Sequence, residues 1–298
     1  MPTTYDMQDV SSLVHHAFPD TILVEPSRMS GTDEPTGHYY LKRSIEGDVV
    51  GKPVGKNYTP QQTDQVARVV EASCYALDPH GMVGDVQCRW RDGHHVIIKP
   101  TDDQRREISK DDTVFPVVHV SGSLDGRAFR YQLGMYRDVC MNLAMMQRVG
   151  AFTMTRSINH TSGLNWKMEE LVSDITALTD KTDDVIDTFR TANEREVTIA
   201  DFLREVYPMP EDPTERTRNT FDKRVESIVQ RLWRERDQVN RDRPWNTRAT
   251  AWEMFNAVQG YEQHDARRRN LPRGRSLDRA FAAFNTPAVE RASALAFA

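Results

Sequence analysis

The sequence predicts an α+β fold: an antiparallel sheet of about four or more strands in the N-terminal half, backed by helices, followed by a mostly helical C-terminal half. Three observations predict it. Two hairpin signals, Arg91-Asp92-Gly93-His94 and Ser123-Leu124-Asp125-Gly126, separate short apolar runs, and Asp-Gly can supply the positive φ angles of a tight turn. Phe129, Tyr131, Leu133 and Met135 alternate with Arg130, Gln132 and Gly134, the period of a half-buried strand. From Gly150 onward the apolar residues recur three and four apart, the period of amphipathic helices.

Taken in order, Ser11–Phe18 reads as a short helix and Thr21–Pro26 as a strand. Ser30–Gly37 is rich in turn formers and reads as a loop, Tyr39–Ser44 as a strand, and Gly47–Gly51 as a turn entering a short strand. Thr59 is placed as an N-cap and Pro60 as the first residue of a helix whose inner face carries Val66, Val69, Val70, Ser73 and Cys74. Gln87–Trp90 with His95–Lys99, and Val114–Ser121 with Phe129–Arg137, make two hairpins, antiparallel because their connections are short. After Arg137 the period changes. Val139, Leu143 and Met146 predict a helix that starts near Arg137 or Asp138 and packs on the hairpin.

Further helices are expected over Asn165–Lys181, Asp183–Asn193, Thr198–Val206, Asn219–Gln238, Thr250–Arg268, Leu277–Phe284 and Ala288–Ala298, with Pro208, Pro210 and Pro213 marking a candidate linker. Residues 1–150 read as a mixed α+β core. Residues 151–298 read as a mainly helical region that either packs on it as one domain or folds apart.

With 298 residues the chain can bury a full core. No apolar run approaches the roughly 20 residues of a membrane span, and the first ten residues lack the basic and apolar regions of a signal peptide. Cys74, Cys88 and Cys140 are too few and scattered for a disulfide framework or a zinc ribbon. The expectation is a cytoplasmic protein with reduced thiols and no membrane partner. The net charge of −5 is unevenly spread: residues 151–213 carry 6 basic and 13 acidic groups, residues 214–298 carry 17 and 11. An acidic middle and a basic end suggest mutual contact or a polyanion partner for the basic part.

Catalytic and cofactor motifs fail on spacing. In Gly47–Asn57 only three residues separate Gly51 from Gly55 where a phosphate loop has four, and no Ser or Thr follows Lys52 or Lys56. The adjacent pairs His15-His16 and His94-His95 diverge on a helix or strand, and no paired Cys-x-x-Cys or His-Glu-x-x-His is present, so no metal is expected. His119 reads as a hydrogen-bonded face or core residue. Pairs such as Asp102-Asp103 and Asp183-Asp184 fall in loops or at helix starts, where acids cap backbone N–H groups. No residue set argues for an enzyme, and no cofactor is expected.

Cations interleaved with aromatics on strands are the more informative feature. A sheet face carrying both can hold phosphates and stack bases. The candidate nucleic-acid contacts are Lys56, Arg89, Arg91, Lys99, Arg130 and Arg137 for the backbone, Tyr131 for stacking, and the Arg267, Arg268, Arg269 run as a second basic patch.

Four segments resemble a known family. Val54–Gln62 is similar to its tyrosine-x-proline-x-glutamine stretch. Val118–Asn142 resembles its serine-histidine-aspartate-glycine hairpin and arginine-valine-valine-cysteine-x-asparagine segment. Thr250–Val258, with Tyr261 and His264, is similar to its tryptophan-x-x-x-asparagine-alanine-valine helix, and Ala282-Ala283-Phe284 to its ending. The family is the phage/plasmid-like proteins, domain of unknown function 932. Leu124 stands where the family has histidine, and Glu253 where it has glycine. The resemblance implies a protein of a bacteriophage, plasmid or other mobile element, and carries no activity with it.

Together these readings lead to a non-enzymatic protein that binds nucleic acid, single-stranded DNA first, in recombination or replication as a binding or annealing factor. Such factors act as homo-oligomers, which is the assembly expected. The alternative is an interaction protein that blocks or redirects a host or defence protein through its acidic middle region.

Overall fold

The computed structural model describes residues 5–30, 32–90, 93–110, 112–124, 128–137, 142–144, 148–149, 152–239, 248–266 and 286–298. The chain starts with α1 (Met7–Ala17), a three-strand run β1 (Ile22–Arg28), β2 (Pro35–Arg43) and β3 (Val49–Val54), then α2 (Thr63–Leu77). Nine strands follow: β4 (Val83–Trp90), β5 (Gly93–Pro100), β6 (Arg106–Ser109), β7 (Asp112–Ser123), β8 (Phe129–Arg137), β9 (Asn142–Ala144), β10 (Arg148–Val149), β11 (Phe152–Thr153) and β12 (Thr155–Ile158). The remainder is helical: α3 (Leu164–Thr179), α4 (Thr182–Glu194), α5 (Ile199–Val206), α6 (Glu215–Val239), α7 (Ala251–Gly260) with a π turn over Tyr261–Asp265, and α8 (Pro287–Ala296). Two short strands, β13 (Glu196–Thr198) and β14 (Arg248–Thr250), pair between them. The fold is α+β, with antiparallel strand pairs in the N-terminal half and helices dominating the C-terminal half.

The chain forms two compact units, each assembled from separated stretches: Met1–Gln104, Pro116–Leu133 and Thr155–Asp180 in one, Arg105–Phe115, Gly134–Met154 and Lys181–Ala298 in the other.

In the first unit β1, β2 and β3 form an antiparallel meander. A second set runs β4 to β5 to β7 and β8 to β12, in register at Cys88↔Val96, Val96↔Val120 and Thr155↔Gln132. Strand alternation gives this second set two unlike faces. One carries Val86, Val96, Ile98, Val118, Val120, Phe129, Tyr131 and Leu133, all buried. It faces helices: the Tyr131 hydroxyl lies beside Ser73 of α2 and Thr179 of α3. On the same face His94 accepts or donates within a buried trio, 3.1 Å from Gln61 Nε2 and 3.5 Å from Thr63 Oγ1. Gly122 lets Gln61 lie against the strand, since a Cβ there would overlap the Gln61 amide.

Two sequence expectations need correction. The helix of α2 starts at Thr63, not at Pro60. The Gln62 backbone N–H is held by Gln65 Oε1 at 2.9 Å, while the Gln62 side chain pairs with both backbone groups of Ile22, at 2.9 and 3.1 Å. The chain is thus held extended through Gln62 by its partner strand. The second correction concerns the helix expected after Arg137. Asn142–Ala144 is a strand, paired antiparallel with β8 at Met135↔Ala144 and Arg137↔Asn142. Ladder hydrogen bonds to β8 outweigh a helical period carried by only three apolar residues, because propensity is a weak prior against tertiary pairing. The helix expected over Leu277–Phe284 lies outside the described residues, as does the turn at Asp125-Gly126.

In the second unit α7 is buried on every face, from Ala251 to Gly260. Thr250 caps it, accepting from Glu253 N–H at 3.1 Å while Glu253 Oε2 accepts from Thr250 N–H at 2.7 Å, a capping box. Trp252 stacks on Phe189 of α4 at 4.6 Å between centroids, and Phe297, beyond α8, packs edge-on against Phe255 at 4.9 Å. These rings are the core of the unit.

Leu124, where the resemblance has histidine, is buried with Ile22, Leu41 and Val54. Gly51 of β3 makes this possible: its φ is +73°, and a Cβ on it would overlap the Leu124 carbonyl. Gly51→Ala is therefore expected to lower the unfolding free energy by roughly 2–4 kcal/mol, from a left-handed backbone plus overpacking, measured as a lower denaturant midpoint at unchanged slope.

Candidate nucleic-acid interface

The opposite face of the β4–β5–β7 and β8–β12 set is mixed: polar groups lie around a centre at which Ile97, Val117, His119 and Gln132 are buried. Cross-strand pairs point to the same side of a sheet, so Arg89↔His95, Asp85↔Lys99 and Gln87↔Ile97 present one face of β4 and β5, and Ile97↔His119 and His95↔Ser121 extend it to β7. Arg130 and Gln132 on β8, opposite Ser157 and Thr155 of β12, complete it. A polar row crosses the strands at its centre: His95 Nδ1 lies 3.5 Å from His119 Nε2, His119 Nδ1 lies 3.4 Å from Gln132 Oε1, and Gln132 Nε2 donates to Thr155 Oγ1 at 3.3 Å. The His95 and His119 rings are near parallel, 13° apart.

Arg89, Lys99 and Arg130 surround this row. Arg89 is exposed, and Lys99 and Arg130 are half-buried. Each cation sits on a different strand. Asp85, across from Lys99, accepts from Gln87 Nε2 at 2.8 Å. Burial, first, and the charges of His95 and Arg130 push the His119 pKa down to about 3, so the ring at the centre of the face is neutral. His94, on the apolar face, is pushed down to about 3 as well, chiefly by burial and then by His95 and Arg43.

The remaining expected contacts fall elsewhere. Lys56 is exposed just after β3. Arg91 and the run Arg267, Arg268, Arg269 lie outside the described residues. Tyr131 is 0% exposed and belongs to the apolar face, so it cannot stack a base; the alternation that made it a strand residue also turned it inward.

Arg137 is 3% exposed and belongs to the second unit, where it cannot meet a phosphate. Its guanidinium grips Asp112 with two bonds, Nε to Oδ1 at 2.7 Å and NH2 to Oδ2 at 2.9 Å, and donates to Glu235 of α6 at 2.8 Å. Asp112 Oδ2 also accepts from Trp252 Nε1 at 2.8 Å. Arg231 joins Glu235 to Asp265, and Arg236 clamps Glu253 with two bonds of 3.0 Å. Every carboxylate in this cluster is met by a guanidinium, and the small cavity beside it, lined by Asp112, Arg137, Asn193, Leu232, Glu235, Arg236 and Glu253, is walled by groups already engaged with each other. Among the described residues no group of three or more His, Cys, Asp or Glu side chains is arranged to hold a metal ion, and no helix is long and apolar enough to cross a membrane.

Arg89, Lys99 and Arg130, three of the expected contacts, fall on one sheet face; the histidine row beside them was not among the expected contacts. Its signal is the register: His95 two positions into β5 and His119 mid-β7 share a face only once Ile97↔His119 is known.

A family model described as a domain of unknown function (DUF932) matches residues 52–284. No curated protein matches the chain, and no solved structure does.

Two outcomes follow from this geometry. Arg137→Ala leaves Asp112 and Glu235 buried without their partner and is expected to cost about 3–5 kcal/mol of stability in a denaturant titration. Neutral His94 and His119 refuse protons that the unfolded chain accepts below about pH 6.5, so stability is full above that value and falls as pH drops toward 3. The expected slope is at most about 1.4 kcal/mol per histidine per pH unit, and in His119→Gln the slope becomes shallower.

Proposed function

We propose that this chain, which belongs to the domain of unknown function 932 family, binds single-stranded nucleic acid, DNA first, through the polar sheet face of its first unit. The observation that carries the reading is the placing of Arg89, Lys99 and Arg130 on three different strands of one face whose reverse is apolar and helix-backed. Cations spread over a sheet at strand spacing can each meet a different phosphate of one extended strand. Cations at strand spacing suit a flexible single strand, whose bases can turn toward the protein, better than the groove of a duplex.

Phosphate contacts of this kind supply affinity without sequence preference and release counterions. A labelled oligothymidylate titrated with the full chain at low salt is expected to show binding at micromolar protein, lost steeply as salt is raised. Replacing Arg89 and Arg130 together by alanine is expected to weaken binding to all sequences alike and to flatten the salt slope by about 2. No anisotropy change at micromolar protein and low salt would remove the proposal. So would binding in which that double variant behaves as the parent.

A further inference from the structure

The meander β1–β2–β3 has two unlike faces. Tyr39, Leu41 and Val54 pack inward with Leu124. Side chains alternate along a strand, so on the central strand β2 Tyr40 and Lys42 turn the other way, and the exposed His38 precedes them by the same two-residue step. In register with Lys42 stand Leu23 on β1 and Val49 on β3, which are 41% and 62% exposed. The outer face thus sets a ring and a cation on its middle strand between two apolar side chains in water.

Tyr40 is held in place there. Its hydroxyl donates across the ladder to Glu25 Oε2 at 2.7 Å, and Lys42 Nζ lies 3.6 Å from Glu25 Oε1. A phenol tied at its far end cannot swing free, so the ring is set before a ligand arrives. The Lys42–Glu25 contact is long and its side chains are 36% and 35% exposed, so a phosphate can draw the ammonium away at little cost. Glu25 is the one carboxylate in the three strands, against Lys42 and the exposed Lys52, with Lys56 exposed just beyond β3. Of the acids in the adjoining turns, Asp33 is held by Arg28 and Glu46 by Arg43, and Glu34 stands in solvent at the β1–β2 turn.

We infer that this outer face takes the bases of a single strand: Tyr40, with His38 beside it, stacks a base between Leu23 and Val49 while Lys42 meets the adjoining phosphate. Rings for the bases beside cations for the backbone are what sequence-tolerant single-strand binding requires. The inference rests on the reading of the chain as a single-strand binder, and it supplies the stacking group that Tyr131, being buried, cannot. Glu25 acts through Tyr40 and is a positioning residue, at the cost of one negative charge near the phosphates.

The test compares the full chain on labelled oligothymidylate and on a labelled abasic oligomer of equal length, which keeps the phosphates and lacks the bases. The parent is expected to bind oligothymidylate more tightly by about fivefold or more, the worth of a stacked base. Tyr40→Ala is expected to lose most of that margin and to hold the abasic oligomer as the parent does. Glu25→Gln keeps an oxygen for the Tyr40 hydroxyl and removes the competing charge, so it is expected to bind oligothymidylate about twofold to threefold tighter. Equal affinity of the parent for both oligomers overturns the inference and leaves the cationic-face reading standing. So does a margin that survives Tyr40→Ala, a Tyr40→Ala loss that is the same on both oligomers, or a Glu25→Gln variant that binds no tighter. Absence of binding to either oligomer overturns both.

Discussion

The second unit depends on one ion pair. Asp112, at the start of β7, has its carboxylate out of water and would cost several kcal/mol if left alone there. It is met by both arms of Arg137, at the end of β8, and by the indole N–H of Trp252. Those three groups come from two strands and the central helix, so the pairing fixes how α7 sits against the strand ends. Glu235 extends it to α6 through Arg137, and Arg231 carries it from Glu235 to Asp265, while Arg236 holds Glu253 as a separate pair. Aromatic stacking of Trp252 on Phe189 then sets the helix's rotation. A core of rings alone can be packed in several ways at similar cost, whereas a bidentate carboxylate pair with an indole donor tolerates few arrangements.

The first unit solves a different problem. Its strands must be covered on one side and left polar on the other. On the apolar side α1 packs on β4, α2 on β5 and α3 on β12, and His94 is held between Gln61 and Thr63. The other side spends its hydrogen-bonding capacity on the row from His95 to Thr155. A polar row running across four strands ties them together by side chains as well as by the ladder, and its neutral central ring keeps the cations around it from repelling a charge in their midst.

Gly51 and Gly122 show how closely these layers approach. In each case a neighbour occupies the space a side chain would take: the Leu124 carbonyl at the first, the Gln61 amide at the second. Leu124 fills with apolar volume a position that the family resemblance gives to histidine, joining Ile22, Leu41 and Val54 in one cluster.

Much of the architecture was legible in the residues themselves. Alternation over Phe129–Met135 and the helical spacing of the C-terminal half determined strand and helix, because local periods reflect which side of an element meets water. The helix of α7 was equally plain, but the capping box that begins it and its burial on every side were not. What local pattern could not decide was partnership. Arg137 looks like a surface group from sequence, since nothing nearby shows that Asp112, distant in the chain, neutralises it, and no window around Tyr131 shows that α2 and α3 cover it. The strand at Asn142–Ala144 depends on an open ladder on β8, which no window around those residues contains. The histidine row depends on register between strands, a property of pairs. Sequence alone determined what each segment could be; tertiary contact decided which of its groups stayed in water, because burial and charge pairing are set by neighbours far away along the chain.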